Sequence, residues 1–122
     1  MTAPDRPARP ADFTNVHDFL HEVRRRPAMW VPGGSLQHLH SMLTGYRTAL
    51  ETHDITEPSP FWPSTGTEAP FTTWLHTRLD RNSSLTWATE IEREAEATGV
   101  PAMGLFFTFL DEYLAADQPG AG

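Results

Sequence analysis

Apolar residues recur at three- and four-residue spacing in five stretches of this chain, and each stretch predicts a helix. The first has Val16, Phe19, Leu20 and Val23, with Thr14 as the expected N-cap. Arg24, Arg25 and Arg26 fall in its last turn, where positive charge suits the helix dipole. Pro27 forces the exit. Residues 27–34 then read as a turn, with Met29, Trp30 and Val31 tucked onto the core. Ser35 caps a second helix, in which Leu36, Leu39, Leu43, Tyr46 and Leu50 keep their spacing over four turns. It ends near His53 and Asp54.

A third helix is expected over 71–81, with Phe71, Trp74, Leu75 and Leu79 inward, and Asn82-Ser83-Ser84 breaks it. A fourth covers 85–98, with Leu85, Trp87, Ala88, Ile91 and Ala95 inward and Gly99 as its C-cap. The fifth, 101–115, carries Leu105, Phe106, Phe109, Leu110, Tyr113 and Leu114 and is the most apolar. No period-two strand pattern and no internal repeat is present. The expected architecture is all-α: an irregular antiparallel bundle of about five helices with one long Pro-rich loop. The first two helices should pack on each other. Residues 12–115 form the expected single domain, and the polar, proline-bearing ends 1–11 and 116–122 read as disordered tails.

Composition narrows the chemistry. With 122 residues the chain suits one domain that can bury a core unaided. It has no cysteine, which excludes disulfides, thiolate metal sites and thiol nucleophiles. No apolar run is long enough to span a bilayer, and no signal-type segment opens the chain, so a cytoplasmic location is expected. All nine basic residues are arginine. Residues 1–50 hold six of them against Asp5, Asp12, Asp18 and Glu22, a balance of +2; residues 51–122 balance at −9, and the whole at −7. An acidic chain repels phosphate backbones, so nucleic acid is an unsuitable partner and a basic protein a suitable one.

Candidate sites are weighed against plain structural roles. His17 and His21 stand one helical turn apart, as metal-binding pairs do. Asp18 occupies the place of the usual glutamate base and no third ligand is visible, so they read as surface histidines and no metal or other cofactor is expected. His38 should face solvent while His40 flanks the core. Gly33-Gly34-Ser35 has the shape of an anion cradle, but a capped helix start explains it equally. Glu90, Glu92, Glu94 and Glu96 read as a solvated face or as a docking face for a basic partner. Asp111 and Glu112 are adjacent, point apart, and make a poor acid-base pair. Ser35 lies in no nucleophile elbow, and no enzyme activity is expected.

The loop 56–70 holds four prolines and carries Phe61 and Trp62 in its middle. Such a loop is usually functional or clamped. Either the two rings pin it to the body or they form a partner surface. In the second case Phe61, Trp62, Glu90, Glu94 and Asp111 together make the expected partner-binding face.

Arg24 to Val31 is similar to a stretch near the start of type II topoisomerase ATPase subunits. The downstream Asp-x-Gly-x-Gly motif is missing and the chain is too short for that fold, so the relationship is rejected. A second resemblance runs over residues 14–115. Arg-x-Arg-Pro-x-Met (24–29), Ser-Leu-x-x-Leu (35–39), Gly-Tyr-x-x-Ala-Leu (45–50), a Trp-bearing helix (Trp74 or Trp87) and Phe-Phe-x-x-Leu-Asp-Glu (106–112) occur in this order. The chain thereby resembles a family of small helical bacterial proteins, some of whose members look like immunity proteins of polymorphic toxin systems. Ala28 stands where glycine is common, and Pro32-Gly33-Gly34 lengthens the turn. Small size, acidity, the absence of catalytic motifs and this resemblance together point to a non-enzymatic protein-binding module, an immunity- or antitoxin-like inhibitor of a bacterial partner protein. The alternative expectation is a small accessory protein that holds a small molecule between its helices.

Overall fold

The first helix, α1 (Val16–Arg25), is started by Asn15, whose side chain accepts the Asp18 N–H. Asn15 thus does the work expected of Thr14. Thr14 instead donates its own backbone N–H and hydroxyl to the Asp18 carboxylate, at 2.8 and 2.7 Å. Together these bonds form a reciprocal cap of the capping-box kind. The computed structural model describes residues 9, 12–63, 68–81 and 83–116. The rest of the two expected tails therefore lies outside the described residues, as do 64–67 of the long loop and Asn82.

Pro27 opens a four-residue helix, α2 (Pro27–Trp30), and a tight turn over Pro32–Gly34 follows. Gly33 and Gly34 both take positive φ there, a conformation that costs glycine least. Only part of the predicted tucking occurs. Val31 is fully buried and Trp30 half-buried, whereas Met29 is 56% exposed. A helical 27–30 points successive side chains about 100° apart, so all three cannot face one way.

Ser35 caps α3 (Leu36–Thr52) through the His38 N–H, as its sequence predicts. α4 (Pro70–Arg78) is shorter than expected, because Asp80 turns left-handed just beyond it. α5 (Trp87–Thr98) starts two residues late, with Thr86 as its cap, and ends on left-handed Gly99. α6 (Ala102–Ala116) completes an all-α bundle with no strand among the described residues.

One hydrophobic core runs through all of it. At its centre Phe71, Trp87 and Phe106 meet at ring separations of 4.9 to 6.1 Å. α5 lies against both α6 and α3, and α4 against α5 and α6. The residues expected to pair the first two long helices, Val16, Phe19, Leu20 and Val23 with Leu39 and Leu43, all join this core, and Tyr46 and Leu50 pack against it. The backbone of α1 comes closest to α2 and that of α3 to α5. There Glu92 accepts the Leu36 N–H at 3.0 Å and Gln37 Nε2 at 3.1 Å. No helix among the described residues is long and apolar enough to cross a membrane.

Candidate functional site

Phe61 and Trp62 point inward. Phe61 meets Phe71, Trp87 and Phe106 at 5.6 to 6.1 Å between ring centres. Trp62 is 8% exposed, stacks on Tyr46 at 5.8 Å and donates its indole N–H to the Glu57 carbonyl at 2.8 Å. Of the two sequence readings, the rings take the position of a clamp. Phe61 is partly buried and lines one open pocket with His40 and Trp87, and Trp62 helps wall another.

The acidic residues of the expected face are also engaged. Glu90 is 2% exposed. Its Oε1 takes Arg81 at 3.1 Å, and Glu94 takes the other arm of the same guanidinium at 2.6 Å. Burial works against ionisation of Glu90, but the adjoining Ser83 hydroxyl and the Arg81 guanidinium outweigh it and hold the pKa below the ordinary value. His76 Nε2 lies 3.3 Å from the Leu85 carbonyl and 3.9 Å from Glu90 Oε2. A carbonyl only accepts, so Nε2 carries the proton. Asp111 is bidentate to Arg24, at 2.9 and 2.8 Å. The acidic half of the chain is therefore stitched to arginines from α1 and from the end of α4. The five residues have separate partners: Phe61 and Trp62 turn from the loop onto core rings, Glu90 and Glu94 hold Arg81, and Asp111 holds Arg24.

Among the candidates of plainer reading, His17, His21 and His38 are exposed. His40 is half-buried, 5.6 Å from the Trp87 ring, and burial pushes its pKa below the ordinary value. No group of three or more His, Cys, Asp or Glu among the described residues is placed to hold a metal ion.

A different face is less committed. Phe13, Phe19 and Trp30 form a triangle of rings, each pair 5.9 Å apart. With Met42, Tyr46, Leu50 and Ile55 they line an open groove of about 490 Å³. A second groove of about 260 Å³, walled by Pro58, Trp62 and Pro63, shares Leu50, Ile55 and Glu57 with the first. These three residues are a wall common to both. Ile55 stands at the junction and is 55% exposed.

The exposure of Ile55 follows from how α3 ends. The Ile55 N–H reaches back to the Leu50 carbonyl at 2.8 Å, and Asp54 sits at φ 56°. This is a Schellman turn with aspartate where glycine is usual. It fixes the Ile55 side chain outside α3.

Glu57 lies where the two grooves meet. Its carboxylate accepts the Val16 N–H at 2.7 Å and the Tyr46 hydroxyl at 2.9 Å. The first bond caps α1, the second fastens the loop to α3. Burial, helped by the Glu57 hydrogen bond and charge, raises the Tyr46 pKa to about 12. Trp30 lines the larger groove, while its indole nitrogen is buried away from solvent with no acceptor. A buried donor without a partner is a cost of about 1–3 kcal/mol.

Sequence reasoning missed this groove. The one available signal was an isoleucine following His53-Asp54, just past a helix end. No family model, curated protein or solved structure matches this chain.

Proposed function

We propose that this protein is a non-enzymatic protein-binding module whose docking face is the groove over α1, α2, α3 and the start of the long loop. It acts as an inhibitor of a bacterial partner, in the manner of an immunity or antitoxin protein. The observation that carries the proposal is Ile55. It is a large aliphatic side chain held outside the fold by a rigid turn, between two apolar depressions that share it. An apolar surface arranged this way is characteristic of protein docking sites. Rigid anchors on pre-shaped backbone lose little entropy on binding. The resemblance to immunity-like bacterial proteins supports the inhibitory role.

The larger groove also falls in the volume range of small-molecule sites. That favours, as second reading, an accessory protein that holds a small apolar molecule there.

The test is capture of partners from the organism that encodes the chain, with the wild type beside Ile55→Arg, followed by reconstitution from purified components. A polypeptide that binds the wild type, fails to bind the folded variant and loses its own activity on binding is the expected result. Capture insensitive to Ile55→Arg overturns the groove as docking face. A co-purifying small molecule lost in the variant, seen by native mass spectrometry, establishes the second reading instead.

A further inference from the structure

We infer that the occupant of this groove is a polypeptide segment carrying an apolar or aromatic anchor beside an arginine or lysine, an inference that rests on the docking reading above. The apolar half of the recognition is given by the walls: Phe13, Trp30, Met42, Leu50 and Ile55. The cationic half comes from Glu57. Its two oxygens are bonded to neutral donors, a backbone N–H and a phenol. No cation among the described residues is ion-paired with it. Each carboxylate oxygen accepts more than one hydrogen bond, so Glu57 has acceptor capacity and charge left to offer. Asp18 adds to the same field. Its carboxylate is bonded to Thr14, and its charge opposes ionisation of Tyr46, which lines the groove. Arg47, the cation lining the smaller groove, is tied to Glu51 at 3.1 Å.

The electrostatics of α1 account for part of this arrangement. Carboxylates favour a helix N-terminus, and both Asp18 and Glu57 serve that end. That role does not explain an exposed isoleucine on the wall shared by two grooves. The acidic net charge adds long-range attraction for a basic segment and makes the encounter salt-sensitive.

The probe is a displayed library of random peptides selected on the full chain. Enriched peptides are synthesised and titrated against the wild type, Ile55→Arg and Glu57→Gln, each checked for cooperative melting. The expected peptides pair an aromatic or aliphatic residue with Arg or Lys. Their binding is abolished by Ile55→Arg, weakened roughly tenfold by Glu57→Gln, and weakened by added salt on the wild type. The salt series decides the question even where Glu57→Gln disturbs the fold. Peptides that need Ile55 but carry no cation and ignore salt overturn this inference and leave the docking reading standing. No peptide displaced by Ile55→Arg overturns both. A dimer of the chain abolished by Ile55→Arg assigns the face to a second copy and overturns the inference as well.

Discussion

The Glu57 carboxylate receives the backbone N–H of Val16 at 2.7 Å, although the two residues stand 41 positions apart. The same carboxylate takes the Tyr46 hydroxyl. Glu57→Ala therefore orphans two donors at once. The expected loss is about 1–3 kcal/mol of unfolding free energy, read by urea titration. A change below about 0.5 kcal/mol shows that water replaces both bonds.

Trp62→Ala removes a ring that is stacked on Tyr46 and hydrogen-bonded through its nitrogen. It should cost roughly 3–5 kcal/mol, the range for buried aromatics. Asp111→Ala breaks a bidentate pair whose two side chains are about half exposed. It should change stability by no more than about 1 kcal/mol. Equal losses in the two variants contradict the inward placement of Trp62.

Asp54 and Asp80 occupy left-handed backbone at φ 56° and 54°. Glycine takes that conformation without the steric penalty of a Cβ. Asp54→Gly and Asp80→Gly should each raise stability by roughly 0.5–1 kcal/mol, measured as a shift in urea midpoint. A fall in stability shows that these aspartates earn their place through contacts of their own side chains.

Alkaline titration tests Tyr46. Its pKa rises from 10.0 to about 12 on folding. The folded state thus holds this proton more tightly than the unfolded state. The contribution is complete below pH 10 and is lost as pH climbs through about 12. Tyr46→Phe should flatten stability between those limits. Glu90 acts at the other end. Its lowered pKa contributes stability above the ordinary carboxylate range that disappears as pH falls through the folded value, and Glu90→Gln should remove part of the acid slope. An unchanged slope in either variant contradicts the assigned environment.

Local signals explain why much of the fold was legible. Ser35 and Gly99 mark helix ends by their own chemistry, and the seam Leu36, Leu39, Leu43 is fully or nearly fully buried as its spacing predicts. Glu90 was misplaced because the run of glutamates looks like a solvated face. The position three after Trp87 and one before Ile91 shares the side that faces the core, and Glu90 is buried there against Arg81. Glu57 had no local signal at all, because an acid in a proline-rich loop says nothing about a helix 41 residues earlier. That α5 also covers α3 was equally hidden. Hydrophobic spacing reports which side of a helix is covered, not which helix covers it.

The two borrowed caps also bear on how the chain opens and closes. The first turn of an isolated helix normally frays, and its amides exchange with solvent by small local motions. In α1 and α3 the leading amides, Val16 and Leu36, are each held by a carboxylate far along the chain, Glu57 and Glu92. Neither amide is released by unwinding its own helix end alone. Deuterium uptake at Val16 should track detachment of the loop from α3, and uptake at Leu36 the separation of α3 from α5. A fragment ending before residue 57 lacks both acceptors and should start these two helices with their leading amides in water.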